Sequence, residues 1–258
     1  MTFVELHHQN TPLLIANVWD AASAITAQQA GYQALGTSST AIAAMLGYED
    51  GEAISFDELF YIVTRIRSVS HLPLSVDVEA GFGDNAEQIA EHLIRLAKTG
   101  VVGINLEDSK VVDGLRRLDD AIAFSGTVKE IRHRLNAEDH HLFLNIRTDT
   151  YLLHHEQALQ ETLLRGRLYK AAGADGLFVP CLTSEQEIEL ISEELNLPLN
   201  VMCMPDLPTF VRLKKAGVSR ISMGNFVHSA IQSKLNNVLQ RIQAQQSFAE
   251  VFVDERSR

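Results

Sequence analysis

Short apolar segments alternate along the chain with longer segments in which polar and apolar residues are mixed. Eight of the short segments are rich in β-forming residues: LLIANV, QALGTSS, LPLSVDVEA, VVGINLED, HLFLNIRTD, DGLFVPC, LNVMCM and SRISMGN. Strands that are apolar almost throughout suit a parallel sheet covered by helices on its faces. The spacing leaves room for one helix after each strand, so the pattern predicts eight βα units.

Four of the predicted helices end at a glycine that leads into the next strand, in QQAGYQALG, AKTGVVGIN, KAAGADGLF and KKAGVSRIS. A glycine at this point is a common helix stop. Eight such units close most naturally into a (β/α)₈ TIM barrel of the α/β class, and an open doubly wound sheet is the alternative. We predict one domain over residues 1–258, with the barrel at about 12–228 and a C-terminal helical extension at about 229–258.

Composition limits the setting in which the chain works. The two cysteines, Cys181 and Cys203, form no CxxC pair, which is typical of a reducing compartment. The chain has neither a leader-like start nor an apolar run of about 18 residues, so we expect a cytoplasmic protein. A net charge of −11 disfavours nucleic acid and anionic membranes as partners. Any anionic ligand therefore needs local positive charge.

Acidic residues stand where two of the predicted strands end. Asp77 and Glu79 lie two residues apart, so their side chains share one face of the strand, and Glu107 ends the following strand. In a barrel these ends meet at one mouth, where repelling carboxylates favour a divalent cation. Oxygen donors suit Mg²⁺ or Mn²⁺, and we predict Asp77, Glu79 and Glu107 as metal residues. The alternative is that each acid caps a helix or pairs with a base, and for the neighbouring Asp108 we expect a cap.

Arg147, in LFLNIRTDT, ends an apolar strand, where a buried charge requires an anion. Its planar guanidinium suits a substrate carboxylate, and an internal ion pair with Glu107 or Asp149 is the alternative. The segment GTSST, which contains Ser38, Ser39 and Thr40, offers N–H groups and hydroxyls to an anionic oxygen, or it simply caps a helix.

Further candidate residues at the mouth are Trp19, Asp50 and Asn225. Trp19 provides an aromatic wall or packs in the core, and Asp50 is exposed unless its loop folds over the mouth. No lysine stands at a strand end, and no Gly-rich phosphate motif or GxSxG is present, which disfavours Schiff-base, nucleotide and serine-hydrolase chemistry. We expect the paired histidines, such as His7 and His8, to lie on the surface.

Six segments in register resemble the isocitrate lyase/phosphoenolpyruvate mutase superfamily: NVWDAASA, GTSSTAIAAMLGYEDGE, VDVEAGFGD, GINLEDS, NIRTDT and RISMGN. The resemblance spans about residues 15 to 230. It implies a TIM barrel that binds a 2-oxo or 2-hydroxy acid with Mg²⁺ at its mouth. Members pass through a metal-stabilised enolate while a C–C or P–C bond breaks or forms.

Residue by residue, the resemblance implies Asp77 as the direct metal ligand, with Glu79, Glu107 and Asp50 holding metal-bound waters. It implies catalytic roles for Arg147, Glu107 and Asp50. It also implies a substrate site made of Trp19, Ser38, Ser39, Thr40, Arg147 and Asn225.

The loop after the fourth strand, EDSKVVDGLRRLDDA, departs from the superfamily. It lacks the lyases' Lys-Lys/Arg-Cys-Gly-His motif and the phosphonate enzymes' Lys-Thr-Asn-Ser stretch, and its cations are Lys110, Arg116 and Arg117. We therefore expect a Mg²⁺-dependent C–C lyase whose reaction needs no loop acid, such as oxaloacetate decarboxylation. The alternatives are a phosphoenolpyruvate mutase or phosphonopyruvate hydrolase, and a barrel that binds a metal–dicarboxylate complex without turnover. The resemblance also implies a homo-oligomer, dimer or tetramer, that exchanges the eighth helix.

Overall fold

The computed structural model describes residues 1–51 and 53–252. Its helices are α1 (Phe3–Leu6), α2 (Ala21–Gln29), α3 (Ser39–Leu46), α4 (Phe56–Val69), α5 (Ala86–Ala97), α6 (Ala121–Ala137), α7 (Ala158–Ala172), α8 (Glu185–Leu195), α9 (Phe210–Lys215) and α10 (Phe226–Gln245). Its strands are β1 (Leu13–Leu14), β2 (Ala16–Val18), β3 (Leu35–Thr37), β4 (Leu74–Asp77), β5 (Gly103–Glu107), β6 (Ser109–Val112), β7 (Leu115–Leu118), β8 (Phe143–Arg147), β9 (Gly176–Phe178), β10 (Leu199–Met202) and β11 (Val218–Ser222).

The main sheet has the order β1-β11-β10-β9-β8-β5-β4-β3-β2, and every neighbouring pair is parallel. β1 and β2 are two parts of one extended segment on either side of Ile15, whose N–H donates to Ile221 O at 3.0 Å. The two edges of the sheet therefore belong to the same segment, and the sheet closes. This confirms the eight predicted strands and the (β/α)₈ barrel.

Four helices end at the glycines that the sequence predicts, and side-chain caps mark the starts of several helices. Side chains that accept a backbone N–H start several of them, among them Asp20 at α2, Asn85 at α5 and Ser184 at α8. The glycines of the four repeated phrases all have positive φ, for example 84° at Gly31 and 102° at Gly173. Glycine adopts this conformation at little cost, so each turn leads directly into the next strand.

The two faces of the barrel strands differ in polarity. Residues such as Val76, Ile104 and Leu144 are fully buried in the apolar layer beneath the helices. The inward face carries buried polar groups, and Asn145 Nδ2 donates to Asn105 Oδ1 at 2.9 Å and to Asn200 Oδ1 at 3.0 Å. Each amide has a partner, so the polar interior is tolerated and the strands are held in register.

The chain divides into two compact units, the first covering Met1–Gly224 and the second starting at Asn225. The second unit contains α10 and a 3₁₀ turn at Ala249–Phe252. Because α10 runs without a break through residue 228, the extension predicted from about 229 continues a single helix. Across residues 1–51 and 53–252, none of the helices is both long and apolar enough to span a membrane.

The prediction that His7 lies on the surface is wrong. His7 is buried with 3% of its area exposed, and its ring stacks on Phe143 with 4.1 Å between the centroids. Its Nδ1 lies 2.8 Å from Phe3 O. The short helix α1 therefore docks through His7 against the start of β8. Burial lowers the pKa of His7 to about 3, and the charge of Arg220 acts in the same direction.

Candidate active site

Asp77, the last residue of β4, is held from both sides. Its backbone N–H donates to Thr37 Oγ1 at 2.8 Å, and its carboxylate accepts from Ser39 Oγ at 3.0 Å. The side chain reaches solvent at one edge but is enclosed by protein elsewhere, and this burial raises its pKa. The charge of Arg147 opposes the rise and that of Asp50 adds to it. The charges of Arg147 and Asp50 therefore both act on Asp77 at the mouth.

Two arginines share the same two carboxylates beside Asp77. Arg147 places Nη1 2.8 Å from Glu107 Oε2 and Nε 2.6 Å from Asp149 Oδ1. Arg116 pairs through Nη1 with Glu107 Oε1 and lies 3.5 Å from Asp149 Oδ2. Glu107 and Asp149 are 3% and 0% exposed, so this is a buried four-charge cluster in which each charge has a partner.

Burial and the surrounding charges act on this cluster in opposite directions. Burial raises the pKa of Glu107 to about 7, and the acids Asp149 and Asp77 add to the rise against the charges of Arg147 and Arg116. Burial tends to lower the pKa of Arg147, but the charges of Glu107 and Asp149 reverse the effect and raise it above its ordinary value. Arg147 therefore stays charged at every physiological pH.

Arg116 comes from a β-hairpin that occupies the loop after β5. β6 and β7 pair antiparallel, with Lys110 opposite Arg117 and Val111 opposite Arg116. Arg116 Nη2 lies 3.5 Å from Asp50 Oδ2, and Thr40 Oγ1 donates to Asp50 Oδ1 at 3.0 Å. The Asp50 loop thus meets the hairpin and the start of α3, although the Asp50 side chain remains 38% exposed.

The base of the hairpin is anchored to α7. Asp119 N donates to Asp108 O at 2.8 Å, which closes the hairpin at its two ends. We expected the carboxylate of Asp108 to cap a helix. Instead it accepts hydrogen bonds from Tyr169 Oη at 2.6 Å and from Arg165 Nη1 at 2.8 Å. Arg165 Nη2 also donates to Asp119 O at 3.0 Å. One arginine therefore contacts both ends of the hairpin.

The remaining residues of the predicted site differ in burial and in their local contacts. Ser38 is buried and caps α3, its Oγ accepting from Ala41 N at 3.3 Å. Glu79 is 2% exposed and has a positive φ of 48° directly after the strand. Trp19 is partly buried and packs against the apolar core. Asn225 precedes α10 in the second unit, so its role in substrate binding stays a prediction.

The family model described as phosphoenolpyruvate phosphomutase matches residues 3–243. The chain belongs to this family. An oxaloacetate decarboxylase of Pseudomonas entomophila is 31% identical over 221 residues, which are 83% of this chain and 74% of that protein. A 2-methylisocitrate lyase of Salmonella typhimurium is 30% identical over 195 residues, 74% of this chain and 65% of that one. The superfamily indicated by the six sequence segments is thereby confirmed, and the protein is an enzyme of the carbon–carbon lyase and mutase type.

A solved structure of this phosphomutase-family fold comes from Burkholderia cenocepacia. It superposes on the chain with a TM-score of 0.86 at 36% identity and covers 92% of this chain and 97% of that one. The likeness of fold therefore covers nearly all of both chains.

Superfamily enzymes of this kind generally use a divalent metal, and the residues at the mouth meet the requirements of Mg²⁺ in part. Within the described residues, no three Asp, Glu, His or Cys side chains gather closely enough to hold an ion directly. Mg²⁺ commonly takes only one or two carboxylates and keeps several waters. The oxygen-only set of Asp77 with Glu107 and Asp50 nearby fits that form. The assignment of Asp77 as the direct ligand, with Glu79, Glu107 and Asp50 holding metal-bound waters, stays a prediction.

Sequence reasoning missed the position of Arg116. It identified the loop cations but not which of them reaches the mouth. Strand alternation within LRRL does place Arg116 and Arg117 on opposite faces of the hairpin. The face that turns toward the barrel depends on how the hairpin folds back, and this is fixed by contacts distant in sequence, such as those of Arg165.

Proposed function

We propose that the protein is a Mg²⁺-dependent carbon–carbon lyase that acts on a small 2-oxo or 2-hydroxy carboxylic acid through an enolate. The observation that carries the proposal is the fixed guanidinium of Arg147, held by Glu107 and Asp149 beside the carboxylate of Asp77. Together these groups provide a permanent cation and an oxygen ligand at the barrel mouth. The similarity to oxaloacetate decarboxylases and 2-methylisocitrate lyases supports the same class of substrate.

Arg147 anchors the substrate carboxylate and stabilises the negative charge that develops as the enolate forms. Its position is fixed before the reaction, so little reorganisation is needed when charge appears. Ser39 orients the Asp77 carboxylate, which would hold Mg²⁺. When bound, Mg²⁺ supplies positive charge that withdraws electrons from the 2-oxo group.

Among the reactions of this class, the residue content of the hairpin favours oxaloacetate decarboxylation. The electron pair of the C3–C4 bond moves into the enolate of pyruvate, C4 leaves as CO₂, and C3 then takes up one proton. No side-chain acid is required before the bond breaks, which agrees with a hairpin, residues 109–118, that contains neither cysteine nor histidine. Cleavage that relies on a loop cysteine or histidine has no such group in this segment.

The direct test is turnover by the purified protein with Mg²⁺ on oxaloacetate, 2-methylisocitrate and phosphonopyruvate. We expect pyruvate release from oxaloacetate above the rate with Mg²⁺ alone, and loss of the excess in Asp77→Asn. Turnover of phosphonopyruvate instead would replace the proposal with P–C bond chemistry. Magnesium-dependent binding of oxalate without consumption of any acid would favour a barrel that binds metal–dicarboxylate complexes.

A further inference from the structure

We propose that Arg116 determines specificity by binding a second anionic group on the substrate, so that the site prefers short dianionic 2-oxo or 2-hydroxy acids. This inference rests on the proposed function, because it assigns a partner to one residue of the same site. It differs from the role of Arg147, which holds the carboxylate next to the 2-oxo group.

The first support for the inference is the arrangement of charges around Glu107 and Asp149. Arg116 contacts Glu107 at Oε1 while Arg147 contacts it at Oε2, and both arginines contact Asp149. The two guanidiniums therefore contact different oxygens of Glu107 and share Asp149 Oδ2. A ligand that reaches both guanidiniums meets two cations, which suits a short dianion.

Arg116 is held firmly at one guanidinium nitrogen and weakly at the other, so a ligand can replace the weak contact. The nitrogen Nη1 is well held by Glu107 and by Ser109 Oγ at 2.9 Å. Among the residues that the structure describes, Nη2 contacts Asp50 Oδ2 alone, at the long distance of 3.5 Å, and the Asp50 side chain is 38% exposed. A ligand carboxylate can therefore replace Asp50 at Nη2 while Nη1 stays in place.

The other cations of the hairpin do not compete for this role. Lys110 is exposed and lies 3.6 Å from Asp119 Oδ2, at the base of the hairpin. Arg117 is exposed on the opposite face from Arg116. Among Lys110, Arg116 and Arg117, Arg116 alone contacts the carboxylates of the mouth.

The hairpin is fixed against the barrel before any ligand binds. A cavity of about 130 Å³ lies beside it, lined by Glu79 and Glu107, by Gly51 and by the first hairpin strand, and the lining does not include Arg116. The anchors at Asp108 and Asp119 keep the hairpin in place, which reduces the ordering cost of binding.

The test compares two ligands that differ by one carboxylate, malate and lactate, titrated calorimetrically into the full chain with Mg²⁺. We expect wild-type protein to bind malate about 10- to 100-fold more tightly than lactate, the range for one hydrogen bond to a charged group. Arg116→Gln should remove this difference and change oxalate affinity by no more than about threefold, well below that range. Arg117→Gln is the matched control and should keep the preference.

Several outcomes would overturn the inference. Wild-type protein could bind malate no more tightly than lactate, or bind neither. Arg116→Gln could keep the preference, or weaken oxalate and malate equally, which would make Arg116 only a counter-charge for Glu107 and Asp149. Arg116→Lys keeps the positive charge at this position but lacks the planar guanidinium. It should restore part of the preference for malate over lactate, and this result would show that the site remains folded. The result is separable from the proposed function, because ligand preference requires no turnover.

Discussion

Glu107 and Arg147 stand directly opposite each other on neighbouring parallel strands, with Arg147 Nη1 2.8 Å from Glu107 Oε2. The strand register alone brings the two charges together at the carboxyl ends of β5 and β8. Asp149, two residues beyond β8, adds a second carboxylate to the same guanidinium. The cation is thus positioned by the barrel itself and not by a mobile loop.

Arg147→Lys should lower kcat/KM for oxaloacetate by about 10²- to 10³-fold, the effect of removing one positioned donor from a charge-stabilising site. A lysine ammonium is a single point charge and cannot contact Glu107 and Asp149 while also facing a substrate carboxylate. Steady-state kinetics with Mg²⁺ measure the change. Arg132→Lys, at the partly buried Arg132–Asp175 pair on α6, is the control and should keep wild-type kinetics. Equal losses in both variants would contradict a specific role of Arg147.

Asp77→Asn should abolish measurable Mg²⁺ uptake in calorimetry, because the substitution removes the charge of the one carboxylate assigned as direct ligand. Ser39→Ala should weaken uptake by about 10- to 100-fold, since it removes a hydrogen bond that orients that carboxylate. Ser184→Ala, which changes only the cap of α8, is the control and should bind Mg²⁺ as wild type does. If Asp77→Asn bound Mg²⁺ normally, the metal assignment would be wrong.

Arg165→Met should destabilise the fold by about 3–5 kcal/mol, the cost of leaving a buried charge without its partner. Asp108, which Arg165 contacts at 2.8 Å, is fully buried. The matched control is Arg167→Met on the same helix, whose ion pair with Glu194 is on the surface and should contribute less than about 1 kcal/mol. Urea unfolding gives both values. Similar losses for the two variants would show that Asp108 is stabilised in another way.

The barrel and part of the mouth could be predicted from sequence because both follow from local pattern. Strand hydrophobicity and the helix-ending glycines give the array, and strand ends give Asp77, Glu107 and Arg147. Arg116 and the Asp108–Arg165 anchor could not be placed in this way. Their positions depend on contacts between residues far apart in the chain, such as 57 residues between Asp108 and Arg165.

The burial of His7, at the other end of the barrel, also could not be predicted from local sequence pattern. This burial makes the free energy of unfolding depend on pH. Its pKa is lowered by burial from 6.5 to about 3 in the folded protein, so the unfolded chain binds more protons between these values. The contribution of neutral His7 is complete above pH 6.5 and is lost as the pH falls, by about 1.4 kcal/mol per pH unit.

Urea unfolding at pH 7.5 and 5.5 tests this dependence. Between these two pH values, wild-type protein should lose about 1.4 kcal/mol more stability than His7→Phe, which has no proton to gain at this position. Carboxylates that titrate in the same range contribute equally to both proteins, so the difference isolates His7. His8→Gln, at the exposed neighbouring position, should keep the wild-type dependence. Parallel pH dependence in wild type and His7→Phe would mean that His7 is not held neutral against Phe143.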